Sequence, residues 1–450
     1  IVPALSLKLQ PILAAKFLNL LAGSALIGIT YLFLGYFKIS KEVKITVLIT
    51  TAILSVHFAL SLITPDLLLT VILLSYFYFI FNESYQEKKS WAIYCGLLGG
   101  LAYLTKTYAL PFFIVHFALV NILKKIAGAK TGKILANMAI GYLSFLTIVT
   151  PWILAVSSKE NFLTIGQAYN YNHSIIGPQS RGYFLNSSVI IPPPNSQATS
   201  AWYNPPYIQK YLDIKPWSPF ESISNFLAQL RIVLLNITSS VYLFEKFSLV
   251  SIPLLIYISA KILKKPKVYL KKTPIIGSLI TLIIYPLGYL LIVVEARYLW
   301  ISFMLTLILS ALVLDEISKK ISRLKLLLTL LVFIITFTAT PLYDLNLRLN
   351  LAKDTYNTAL FLKEKYSIKN ANIASNSQGT DTMFFAYYLE SRYWGQTGEL
   401  GPDAISKLLR TNNIDYYFVW EKGPDSGKNP ASYQKLIFTG IDGLKIYKLN

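Results

Sequence analysis

Four ionisable residues stand at the ends of apolar runs in this sequence, and their types suit the handling of a phosphate. Asp66 lies in Thr64-Pro65-Asp66-Leu67-Leu68-Leu69, Lys106 closes Gly96-Leu97-Leu98-Gly99-Gly100-Leu101-Ala102-Tyr103-Leu104-Thr105-Lys106, and Glu295 and Arg297 share Glu295-Ala296-Arg297-Tyr298. Ionisable groups at span ends are costly, so each needs a reason. Taken singly, each has a plain one. Thr-Pro-Asp is an ordinary helix start, with Pro fixing the first-turn φ and Asp facing the positive end of the helix dipole. A lysine or arginine beside a span can snorkel to water. Together they offer more. An ammonium and a guanidinium can hold a phosphate and stabilise it as a leaving group. A carboxylate beside them can act as general base for an incoming hydroxyl or amine, or hold a divalent metal such as Mg or Mn on the phosphate.

The elements that must position these residues are membrane spans. Apolar runs long enough to cross a bilayer, or nearly so, fall at about 11–36, 44–63, 66–82, 91–104, 108–123, 134–156, 243–263, 274–294, 298–314 and 325–341. Every second connection is basic: Lys38 to Lys44, Lys88 and Lys89, Lys124 to Lys133, Lys264 to Lys272, and Lys319 to Lys325. The positive-inside rule makes those loops cytoplasmic. It then places residues 1–10, Thr64–Pro65, Thr105–Thr107, the loop of about 157–242, Glu295–Arg297 and everything after Pro341 on the extracytoplasmic side, so all four ionisable residues share one face.

The sequence thus divides into a transmembrane domain, 1–341, and an extracytoplasmic domain, 342–450. The loop of about 157–242 is rich in Tyr, Trp, Asn and Pro and reads as an ordered external lid. Within it, Pro219 to Leu235 has the spacing of an amphipathic helix lying in the membrane interface, or of a surface helix closing the bundle. After Leu342, helical patterns at about Ala352–Tyr366, Asp381–Leu389 and Pro402–Thr411 alternate with strand patterns at Asn372–Ser375, Tyr416–Trp420, Lys435–Thr439 and Lys445–Leu449. The expected fold is mainly α, a polytopic helical bundle with a small α/β domain.

Composition agrees. Hydrophobic residues make up 54% and charged residues 14%, and the mean hydropathy is +0.50, too apolar for a soluble chain of this length. The net charge of +20 sits in short loops rather than in one basic domain, which argues for topology and against nucleic-acid binding. The one cysteine, Cys95, excludes internal disulfides and multi-cysteine metal sites. His57 and His116 lie in apolar runs and read as core histidines, whereas His173, in the external loop, is the one expected to meet substrate. Three sequon matches, at Asn172, Asn186 and Asn236, arise easily by chance in an Asn-rich chain.

The Thr64-Pro65-Asp66-Leu67-Leu68-Leu69, Gly96-to-Lys106 and Arg297-Tyr298-Leu299 motifs, in that order and on one side, resemble the GT-C glycosyltransferases, the superfamily of protein mannosyltransferases and of aminoarabinose-lipid A and RgtA/B/C/D-like enzymes. The resemblance covers nearly the whole chain. It implies transfer of a sugar from a polyprenyl-phosphate donor to a glycan, lipid or protein acceptor on the extracytoplasmic side of a plasma membrane. It makes Asp66 the active-site acid, near a metal or near the donor phosphate, has Lys106 and Arg297 contact that phosphate, and has Tyr298 line the cavity. Glu295 and His173 complete the expected substrate contacts. Family members carry their principal catalytic acid in a first external loop that precedes the span matching 11–36. Against that pattern the initial span and most of that loop are absent here and the first residue is Ile1, so the sequence is expected to be N-terminally truncated, its full-length parent having one further span and the missing acid, and the 450 residues alone are expected to be inactive. Two other classes fit a membrane bundle: a transporter or flippase of lipid-linked sugars, expected to show mid-span charges and inverted repeats that this sequence lacks, and a noncatalytic binder of lipid-linked glycans.

Overall fold

The structure is a computed structural model and describes residues 11–166, 168–178, 189–398, 400–421, 433–436 and 441–449. In chain order the helices are α1 Pro11–Leu34, α2 Lys41–Ser61, α3 Asp66–Ile80, α4 Lys89–Thr105, α5 Ala109–Ile126, α6 Thr131–Glu160, α7 Ala168–Ser174, α8 Pro205–Tyr211, α9 Ile223–Phe247, α10 Ser251–Lys264, α11 Pro266–Leu270, α12 Thr273–Leu290, α13 Trp300–Ser318, α14 Arg323–Arg348, α15 Lys353–Tyr366, α16 Gly379–Tyr388 and α17 Pro402–Thr411. The chain forms two compact units. A helical unit takes the described residues of 1–166 and 230–348, and a second unit takes those of 167–229 and 349–450.

In the helical unit α13 is the central element. Its residues from Trp300 to Ala311 are all buried, the behaviour of a helix that is apolar on every side. Among the described residues eight helices are long and apolar enough to cross a membrane, while Asp66–Ile80 is apolar but shorter. The protein is therefore a multi-pass helical membrane protein. The motif glycines have a packing role. A Cβ at Gly96 would lie 2.1 Å from Gly141 O and 2.7 Å from Ser144 Cβ, and one at Gly99 would lie 2.4 Å from the Phe113 ring. Glycine there lets α4 press against α6 and α5, which fixes where α4 ends and Lys106 begins. At the opposite end of α3 from Asp66, the buried Lys124 donates to Asn82 O at 3.0 Å. His116 is a satisfied core histidine, bonded to Tyr76 OH at 2.9 Å and Thr281 Oγ1 at 2.8 Å.

One span differs from expectation. The run 243–263 is not a single helix: α9 ends at Phe247 and α10 starts at Ser251. Pro253 accounts for the break. It cannot donate a helical hydrogen bond and its ring collides with the carbonyl four residues back, so it is accommodated in a first turn and not in mid-helix. In turn α9 begins at Ile223, so the helix expected at Pro219 to Leu235 is present but runs on to Phe247 and is long enough to cross. Within it Asn236 is buried and donates to Leu290 O and Ile292 O at 2.9 and 3.1 Å.

The second unit contains a five-stranded mixed sheet. Its strands are β1 Asn372–Ser375, β2 Arg392–Gln396, β3 Tyr416–Trp420, β4 Tyr433–Lys435 and β5 Leu444–Leu449, in the order β2-β1-β3-β5-β4. β1 is parallel to β2 and β3, and β5 is antiparallel to β3 and β4. β2 is an addition to the expected strands. The fourth strand lies a little earlier than expected, and residues 437–439 of that expectation fall outside the described residues, as do residues 1–10 and the sequon at Asn186. The loop before α9 contributes to this sheet's surroundings: Ile191 N donates to Trp394 O and Tyr393 N to Thr199 O, each at 2.7 Å.

Gly96→Ala should destabilise the helical unit by about 1–3 kcal/mol, the usual cost of forced overpacking. Gly28→Ala, where an added Cβ meets nothing within 4 Å, should leave the unfolding midpoint of the purified protein unchanged. Equal midpoints for both variants would contradict the close approach of α4 and α6.

Candidate functional site

The turn from α2 to α3 is short. Leu62 leaves α2 in an extended conformation and Pro65 is the N-cap of α3, so Asp66 is the first residue of that helix. Its carboxylate is nearly enclosed, with the side chain 4% exposed. A buried carboxylate requires partners, and the structure supplies them from two distant parts of the sequence. Lys106 Nζ donates to Asp66 Oδ1 at 2.5 Å, and Arg297 Nε lies 4.0 Å from Asp66 Oδ2.

Lys106 caps α4, its backbone N–H returning to Ala102 O. The following turn is held as well: Tyr103 OH donates to Ile165 O at 2.8 Å. The ammonium rests on aromatic faces, 3.8 Å from the Tyr298 ring centroid and 5.2 Å from that of Tyr289, contacts that attract a cation electrostatically. Lys106 lies between helices, and burial lowers its pKa from the usual lysine value while Asp66 opposes the shift.

Arg297 and Tyr298 sit in a 3₁₀ turn, Ala296–Leu299, that leads directly into the central helix α13. Arg297 Nε donates to Glu295 Oε2 at 2.7 Å and its Nη2 to Tyr298 OH at 3.2 Å, while Tyr298 OH reaches Glu295 Oε1 at 3.4 Å. Asp66, Lys106, Glu295, Arg297 and Tyr298 therefore form one cluster. The two carboxylates differ in access: Glu295 is 43% exposed, whereas Asp66 is 4% exposed.

His173 belongs to the other compact unit. In the second unit it stacks between Tyr169, with centroids 5.6 Å apart, and Trp217, 4.5 Å apart, and its Nε2 bonds to Gln229 Oε1 at 3.1 Å. The tyrosines of α12 also lie beside the cluster. Tyr289 stacks on Tyr298 at 4.7 Å and meets the Tyr108 ring at a tilt, with centroids 4.2 Å apart; the spacing of Tyr285 and Tyr289, four apart on an apolar helix, is the signal in the sequence.

The cluster does not form a metal cage. Among the described residues no three or more His, Cys, Asp or Glu side chains converge, and the Asp66 oxygens face an ammonium and a guanidinium. A metal cation at Asp66 would meet two positive charges, so these residues do not fit one.

An apolar cavity of about 590 Å³ lies between α9, α10 and α12, lined by Ile237, Phe244, Leu255, Ala260, Pro286 and Leu290 among others. Its volume is within the range of ligand sites. Leu290, in its wall, is next in sequence to Tyr289, which lies under Lys106.

No family model matches the sequence, and no curated protein matches it. Among solved structures the chain is similar to the apo oligosaccharyltransferase of Archaeoglobus fulgidus, with a TM-score of 0.49 and 11% identity over 90% of this chain and 58% of that one. It is also similar to the Archaeoglobus fulgidus oligosaccharyltransferase AglB in complex with an inhibitory peptide and a dolichol-phosphate, with a TM-score of 0.44 and 10% identity over 97% of this chain and 63% of that one. A third is ArnT from Cupriavidus metallidurans bound to undecaprenyl phosphate, with a TM-score of 0.47 and 14% identity over 96% of this chain and 83% of that one. The chain thus spans about three fifths of the length of the two archaeal structures.

Lys106→Met should lower stability by about 3–5 kcal/mol, because it strands the Asp66 carboxylate in a buried place. The double variant Asp66→Asn/Lys106→Met should recover part of that loss. Thermal unfolding in detergent measures both, and a double variant less stable than Lys106→Met would show that the pair is not what holds the carboxylate.

Proposed function

We propose that the protein is a membrane glycosyltransferase of GT-C type that moves a sugar from a polyprenyl-phosphate donor to an acceptor on the extracytoplasmic side. The observation that carries this reading is the convergence of Lys106 and Arg297 on the buried Asp66 at one end of an apolar bundle. Such a boundary suits a lipid with an apolar tail and an anionic head, and the cavity whose wall includes Leu290 offers the tail a place near Lys106.

In this reading the donor phosphate binds to Lys106 and Arg297, loosening the hold of Glu295 on the guanidinium. The acceptor oxygen or nitrogen attacks the anomeric carbon. The bond from that carbon to the phosphate oxygen breaks, and its electron pair leaves on the phosphate, where the two cations stabilise it. The acceptor's proton passes to a carboxylate. Asp66 is engaged with both cations, so its part is to hold them in place, and Glu295 is the cluster's exposed carboxylate.

Membranes containing the full-length protein should transfer labelled sugar from polyprenyl-phosphate donors, and Asp66→Asn and Lys106→Ala at equal expression should each reduce transfer by about 100-fold or more, the usual effect of removing a group that stabilises developing negative charge. Undiminished transfer in both variants would overturn this reading. Filling the cavity with Ala260→Trp should raise the KM for a long-chain donor and leave that for a short, water-soluble prenyl donor unchanged; an equal effect on both would remove the cavity from the site.

A further inference from the structure

A second group of ionisable side chains lies in the helical unit, between the last turn of α2 and the end of α14. Asp344 Oδ2 accepts from His57 Nε2 at 3.0 Å and from Arg348 Nε at 2.8 Å, and Arg348 Nη1 reaches back to Ser61 O at 3.4 Å. Because a carboxylate only accepts, His57 is the tautomer with its proton on Nε2. The bonds close a ring: from His57 on α2 to Asp344, along α14 to Arg348, and back to α2 at Ser61. Asn19 of α1 completes the arrangement, its Nδ2 lying 3.0 Å from Leu62 O and 3.5 Å from Ala59 O.

The carbonyls involved belong to the end of α2 or lie just past it. The last four carbonyls of a helix have no partner within it, and a cation there also favours the negative end of the helix dipole. Ala59 and Ser61 are such carbonyls. The chain then needs only Leu62, Ile63, Thr64 and Pro65 to reach Asp66. With so short a connection, the place of Asp66 depends on how firmly the end of α2 is held.

We propose that His57, Asp344 and Arg348 clamp the end of α2 and so position Asp66 against Lys106 and Arg297. Arg348 is then a positioning residue that touches neither donor nor acceptor. The part of this inference that concerns donor binding rests on the function proposed above; the part that concerns Asp66 does not.

The test uses the full-length protein in lipid nanodiscs, with the rate of Lys106 acylation by an amine-reactive reagent read by mass spectrometry. The buried Lys124, at the far end of α3, serves as internal reference. Arg348→Ala and Asp344→Asn should each raise the Lys106 rate several-fold relative to Lys124, as Asp66→Asn does directly, and should raise the donor KM more than they lower kcat. Arg348→Lys, which keeps the charge but not the forked geometry, should fall between. A parental Lys106 rate in both Arg348→Ala and Asp344→Asn overturns the clamp, as does equal acceleration of Lys106 and Lys124, which reports general loosening. If Arg348→Ala does not fold, His57→Gln takes its place under the same criteria. A protein that transfers no sugar but shows the labelling response retains the clamp and loses the glycosyltransferase reading.

Discussion

Much of the helical unit is organised by the cost of enclosing one carboxylate. Asp66, 4% exposed at its side chain, would be costly to keep enclosed without compensating charge. Its partners come from the end of α4 and from the turn before α13, so the ion pairs tie together three helix ends that are far apart in sequence. Lys106 needs α4 to stop at Thr105, and Arg297 needs the turn at Ala296–Leu299. Neither helix can slide along its axis without leaving a charge unpaired in a poorly hydrated place.

The packing beneath serves the same placement. The glycines at 96 and 99 hold α4 against α6 and Phe113, and α13 runs buried from its first residue. Between these parts the stacked tyrosines at 289 and 298 lie under the ammonium, with Tyr108 tilted against Tyr289. They give the cation an apolar, electron-rich support without adding a further negative charge, and leave its remaining hydrogen-bonding capacity directed elsewhere.

Most of this was legible in the sequence because it follows from short rules. Alternation of basic loops set one face for Asp66, Lys106, Glu295 and Arg297, and the structure brings those residues into contact. The α/β pattern after Leu342 was equally plain, with β1, β3 and β5 matching expectation. What could not be read depends on neighbours distant in sequence. β2, Arg392-Tyr393-Trp394-Gly395-Gln396, is short and takes hydrogen bonds from β1 and from residues near Ile191. The helix legible at Pro219 to Leu235, interfacial or closing the bundle, is the first part of α9; its continuation to Phe247 is not legible, and only the partners of Asn236 explain how a polar side chain is kept in its middle. The place of His173 in a loop is legible, whereas its stacking between Tyr169 and Trp217 is a tertiary fact.

The helix α9 bounds one side of the apolar cavity, yet Asn236 and Phe247 are the buried residues along its length. Leu243 and Phe244 add partial contacts with the core, while Ile237 and Val241 of the cavity wall are largely exposed, apolar surface left for acyl chains to cover. The cavity therefore communicates with the hydrocarbon phase sideways. In the reading proposed above, a long-tailed donor would enter and depart within the plane of the bilayer, its chain never passing through water, and its turnover would depend on membrane fluidity and thickness as well as on the chemistry at Lys106.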